Sequence, residues 1–145
     1  MSGQFKGRSG SRKRAVEILF EADIRGLGPV SVLADRVGST DTLPVNDYTV
    51  TLVEGVNERM DRLDDVLMQH VTESWSLNRL PAVDRAVLRV GLYEILFAAD
   101  VPDAVAIDEA VELAKALSTD DSPRFINGVL GRIVQNADRF RTAPQ

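Results

Sequence analysis

An all-α bundle built around one enclosed helix is the fold this sequence predicts, and three observations predict it. The stretch VDRAVLRVGLYEILFAAD, Val83–Asp100, carries only Arg89 and Glu94 as charged residues between Ala86 and Ala99. A helix apolar on almost every side must be surrounded by other helices or by lipid. Charge interrupts this one before it reaches the roughly 20 apolar residues of a membrane span. Apolar residues also recur at helical spacing before and after it, and no stretch alternates as a strand does. Finally, 145 residues at 44 % hydrophobic content supply one ordinary domain with bulk for a core. Residues 1–11 read as a flexible basic arm, 12–140 as a single domain and 141–145 as a tail.

The first helix is expected over Ser11–Arg25, capped by Ser11, with Ala15, Ile18, Leu19 and Ala22 on its inner face. Gly26, Gly28 and Pro29 end it. A short helix, Val30–Val37, closes at Gly38, and Ser39–Pro44 reads as a loop of turn formers. Asn46 or Asp47 starts a long helical region to about Val71, in which Tyr48, Leu52, Val56, Met60, Leu63 and Leu67 keep helical spacing. The polar cluster Asp61–Asp65 suggests a break there, with Asp61 as the new cap. Trp75, Leu77 and Leu80 form an apolar clasp before Pro81. After the central helix, Asp103 is expected to cap a helix over Ala104–Leu117 that buries Ile107, Ala110, Val111 and Ala114. The last helix starts at Ser122 with Pro123 in its first turn. Gly128 and Gly131 lie inside it at a cost of about 1 kcal/mol each relative to Ala, which predicts a closely approaching neighbour.

The charge is unevenly spread. Formal net charge is -5, yet Lys6, Arg8, Arg12, Lys13 and Arg14 crowd the first 14 residues, which hold no acid. The rest of the chain carries 12 basic against all 22 acidic residues. A basic end on an acidic body is the asymmetry expected when one part meets phosphate and another meets a different partner. The absence of cysteine fits a reducing cytoplasm and excludes thiolate metal sites. His70 is the only histidine, too few for a metal site or a histidine-based catalytic set, and it reads as a surface residue. No apolar stretch follows the basic N-terminus as in a secretion signal.

Two local patterns suggest binding. Arg85, Arg89 and Tyr93 repeat every four residues and so share one stripe of the central helix. Lys13 and Phe20 lie seven apart, two turns along nearly the same line, where a cation meets phosphate while a ring stacks a base. The bland alternative is that Phe20 extends the core.

Arg12-x-x-Ala15-Val-x-x-Leu19-Phe20 opens a wider pattern, continued by Trp75 to Leu80 and by Asp84-Arg85-Ala-Val-Leu88-Arg89-x-x-x-Tyr93-Glu94. Val101-Pro102-x-x-Val105-Ala106-Ile107-x-Glu109-Ala110-x-x-Leu113-Ala114-Lys115 and Phe125-Ile126-Asn127-Gly128-Val129-Leu130 follow. In this order and spacing the chain resembles the NusB family of transcription antitermination factors. The resemblance implies about seven helices in two packed subdomains, no enzymatic activity and no cofactor. It implies as partners single-stranded boxA RNA of ribosomal leader transcripts, the ribosomal protein NusE and the RNA polymerase antitermination complex, without a membrane. Carried over by position, the RNA face comprises Arg8, Arg12, Lys13, Arg14, Phe20, Arg85, Arg89, Ser122, Arg124, Phe125 and Asn127. Asp121 there either caps the last helix or accepts from a base, and Asp84, on the acidic body, is left for the protein partner. Phe20 stands where relatives often have Tyr. A second reading is a protein-assembly module, a homodimer or polymerase adaptor, with RNA binding masked or secondary. A third, the RNA-binding part of a cytosine methyltransferase, lacks the reactive cysteines and glycine-rich loop such chemistry needs.

Overall fold

The computed structural model describes residues 5–39, 44–71 and 77–137. Within them the chain forms seven α-helices and no strand. They are α1 (Gly7–Arg25), α2 (Pro29–Gly38), α3 (Asp47–Glu58), α4 (Met60–Met68), α5 (Ala82–Phe97), α6 (Asp103–Leu117) and α7 (Ser122–Gln135), with a 3-10 turn, Leu77–Arg79, before α5. Helix α5 touches α1, α3, α4, α6 and α7, which makes it the centre the sequence predicted. On one side α1 packs on α2 and α3, and on the other α6 packs on α7. Leu88 and Leu92 of α5 are fully enclosed, along with Leu52, Leu63, Leu67, Leu113, Ile126, Leu130 and Ile133 from the helices around it. Each such side chain contributes about 1.5–3 kcal/mol through burial.

The ends of the helices follow local chemistry in part. The Asn46 side chain accepts from Thr49 N at 3.0 Å, so Asn46 caps α3. Gly26 ends α1 at φ 67, a left-handed conformation that glycine enters without penalty. Helix α1, however, starts at Gly7 rather than Ser11. Ser11 is a buried residue inside it, bonding Gly7 O at 3.1 Å and Asn46 Oδ1 at 2.8 Å. The break between α3 and α4 comes at Arg59, ahead of the polar cluster, and Asp61 lies in the first turn of α4 without capping it. Asp103 likewise opens α6 instead of capping it, since Pro102 holds the cap position. A carboxylate in either first turn still favours the positive end of the helix dipole.

Helices α3 and α5 cross closely. A Cβ on Gly55 would overlap the Tyr93 ring, so the third member of the α5 stripe faces α3. The glycines of α7 mark no comparable approach: a Cβ on Gly131 would meet nothing within 4 Å, and one on Gly128 only the end of Arg132 at 3.3 Å. Leu77 and Leu80 are buried as expected, whereas Trp75 lies outside the described residues. His70 is half-buried, its Nδ1 2.9 Å from Val66 O. Among the described residues no helix is long and apolar enough to cross a membrane, and no three His, Cys, Asp or Glu side chains gather as metal ligands.

Candidate nucleic-acid interface

The basic residues of α1 and α5 were expected on one binding face, but the structure spends several of them internally. Arg12 is 4 % exposed and Glu94 1 %. Arg12 Nε lies 2.9 Å from both Glu94 oxygens, and its Nη1 lies 3.0 Å from Glu109 Oε1. The Tyr48 hydroxyl also donates to Glu94, and Ser9 Oγ donates to Glu109 at 2.5 Å. Burial alone pulls the Arg12 pKa down, but Glu94, Tyr48 and Glu109 outweigh it and leave it raised. Burial and the bond to Glu94 push the Tyr48 phenol up. Arg12 is thus a strut between α1, α5 and α6, and the expectation that it grips phosphate is corrected: phosphate cannot reach it.

Arg85 and Arg89 do share a stripe of α5, and that stripe faces other elements. Arg85 Nε and Nη2 bond Asp23 Oδ2 at 3.1 and 2.8 Å. Its Nη1 approaches the carbonyls of Leu77, Asn78 and Leu80 at 3.4, 3.1 and 2.6 Å. Arg89 forms a fork on Asp64, with Nε and Nη2 each 2.9 Å from one oxygen. Such bidentate pairs are the strong form of this contact. Both arginines therefore serve as ties between α5 and its neighbours, with side chains that stay 15 % and 14 % exposed.

Two further assignments change at the start of α7. Asp84 is 3 % exposed, so it is no partner contact. Its carboxylate accepts from Ser118 Oγ at 2.5 Å and Ser122 Oγ at 2.8 Å, pinning the turn between α6 and α7 to the start of α5. Ser122 is 2 % exposed, and its backbone N–H bonds Thr119 O at 3.1 Å, so both its donors are engaged within the protein. Asp121 occupies the cap position of α7, but its side chain caps nothing.

What this turn does present is a cleft of about 520 Å³. Leu80, Pro81 and Phe125 supply apolar walls, Asp84, Thr119 and Ser122 polar lining, and Arg79 and Asp121 exposed charges. Phe125 is half-buried, and Arg124 and Asn127 are exposed in the first turns of the same helix. On α1, Lys13 bonds Glu17 at 3.0 Å, and both Arg14 and Phe20 are half-buried, the latter against the core. Arg8 is exposed, pairing with Asp100 at 3.0 Å and lying over the Tyr48 ring at 4.1 Å. Arg12 meets Glu94 and Ser122 meets Asp84 on α5, ten residues or about 15 Å apart along the axis. The start of α1 and the start of α7 thus lie toward opposite ends of the central helix. Arg79, exposed on the rim of this cleft just before Leu80 and Pro81, is a cation that the sequence reading did not place here.

Residues 9–135 match the NusB family model. The chain is 64 % identical over 136 residues to a protein of Saccharopolyspora erythraea named transcription antitermination protein NusB, covering 93 % of this chain and 91 % of that one. Among solved structures, T. maritima NusB matches with a TM-score of 0.78 at 34 % identity, over 90 % of this chain and 92 % of that one. A chain from the crystal structure of antitermination factors NusB and NusE in complex with double-stranded RNA matches with a TM-score of 0.77 at 26 % identity, covering 89 % of this chain and 96 % of that one.

Proposed function

This chain belongs to the NusB family, and we propose that it is a non-enzymatic, RNA-binding transcription antitermination factor of the cytoplasm. With the ribosomal protein NusE it binds the boxA element of ribosomal RNA leader transcripts, and the pair joins the RNA polymerase antitermination complex. The observation that carries this reading is the near-full-length likeness to a protein named for transcription antitermination. The surface is compatible with it. Phe125, Arg124 and Asn127 stand at the start of α7, and a half-buried ring beside an exposed cation and an amide suits unpaired bases. Arg8, Lys13, Arg14 and Phe20 extend the same chemistry along α1.

A titration of labelled boxA-like RNA tests it, as single strand and as duplex, with and without NusE. Single-stranded RNA should bind, more tightly with NusE and more weakly as salt rises. No binding of either form, even with NusE, would remove the reading.

Protein assembly is the second reading, favoured by the exposed Ile24, Leu27 and Val30 around the α1–α2 corner. Light scattering with and without NusE separates the two: a homodimer that loses RNA binding would support masking.

A further inference from the structure

The cleft at the start of α7 presents a cation, Arg79, that neither the residues carried over by position nor the stripe on α5 included. Arg79 is exposed on its rim, and among the described residues neither an ion pair nor a hydrogen bond engages its guanidinium. Its neighbours in the cleft include two carboxylates, Asp84 and Asp121. A strand laid against Phe125 therefore needs a cation there to offset them.

The turn that carries Arg79 is also held in place. Arg85 Nη1 gathers the carbonyls of Leu77, Asn78 and Leu80, while its Nε and Nη2 hold Asp23. Two arginines six residues apart thus divide the work. One is consumed fixing the backbone of the turn, and the other is left facing the cleft.

We propose that Arg79 grips a phosphate of the RNA strand at this cleft, next to a base lying on Phe125, and that Arg85 is the positioning residue that fixes the Arg79 turn. This rests on the RNA-binding reading above and adds to it a contact outside the predicted set. Arginine suits the place because its planar fork takes two phosphate oxygens at once.

The test is a salt titration of boxA-like single-stranded RNA with the full chain and NusE, comparing the parent with Arg79→Gln, Arg79→Lys and Arg85→Lys. One phosphate contact on a single strand is worth about 0.7 in the slope of log affinity against log salt. Arg79→Gln should lower the slope by about that amount and affinity by roughly 3- to 10-fold, with an unchanged melting temperature. Arg79→Lys should keep the slope and lose part of the affinity, because the charge stays while the fork goes. Arg85→Lys should weaken binding in the parent and add little in the Arg79→Gln background, since residues acting through one contact are not additive.

Unchanged affinity and slope in Arg79→Gln would overturn the contact and leave RNA binding by the chain intact. Should Arg79→Gln melt lower, Arg79→Lys decides: a retained slope supports the contact and a lost one overturns it. Additive losses from Arg79 and Arg85 would overturn the positioning role. Failure of the parent to bind RNA at all would take the underlying reading with it.

Discussion

Arg12 and Glu94, 82 residues apart in the chain, meet inside the bundle with both Glu94 oxygens 2.9 Å from Arg12 Nε. Each needs the other, because an unpaired charge left at that depth costs several kcal/mol in desolvation. Tyr48 also bonds Glu94 and Glu109 also bonds Arg12, so the pair together ties α1, α3 and α6 to α5.

Removing one member strands the rest. Arg12→Ala and Glu94→Gln should each destabilise the fold by about 3–5 kcal/mol in urea unfolding. An apolar pair, Arg12→Met with Glu94→Leu, should recover much of that loss. RNA affinity per folded molecule should keep its salt slope in Arg12→Ala, since this cation faces no phosphate. A slope lowered by about 0.7 would return Arg12 to the binding face.

The helices were legible because their signals are local: apolar spacing, the Asn46 cap, and the Gly26 and Pro123 punctuation. The stripe Arg85–Arg89–Tyr93 was legible as a shared face, but helical periodicity does not say what that face meets. The answer lies in Asp23, Asp64 and Gly55, which folding alone brings alongside. Glu94 was the sharper clue. A carboxylate in an otherwise apolar helix requires a buried cation, and the sequence offers Arg12 without a ruler to connect them. Caps at Asp61 and Asp103 failed because a carboxylate is equally welcome one turn into a helix, where the dipole favours it.

Two glycines should respond to alanine in opposite directions. Gly55→Ala drives a methyl into the Tyr93 ring between α3 and α5, and overpacking of this kind costs about 1–3 kcal/mol. Gly131→Ala meets open space on α7 and should stabilise by about 1 kcal/mol through helix propensity. Thermal melting of the two variants checks both signs, and a destabilised Gly131→Ala would reveal a neighbour there.

The Tyr48 phenol gives the fold an alkaline signature. Its folded pKa is raised by burial and by Glu94, so the neutral form is favoured in the native state. That contribution is fully present below the unfolded value of about 10 and is lost as pH rises beyond it. The parent should therefore lose stability more steeply than Tyr48→Phe between about pH 10 and 11, although the variant starts lower at neutral pH for want of the bond to Glu94. Parallel stability curves across that range would show that the phenol titrates alike in both states.

Phe125 and Arg124 adjoin in sequence, and their losses should be told apart by salt. Stacking of one base on a ring is worth about 1–3 kcal/mol and carries no charge. Phe125→Leu keeps an apolar side chain against the core but removes the ring. It should weaken boxA-like RNA binding by up to that amount while leaving the salt slope alone. Arg124→Ala removes an exposed cation and should lower the slope by about 0.7, so its loss is largest at low salt and shrinks as salt rises. The pairing of the two outcomes matters more than either size. A slope change in Phe125→Leu would mean that the start of α7 had shifted. Full affinity in Phe125→Leu would make this ring a core residue and move the stacked base elsewhere, with Phe20 on α1 the next to test.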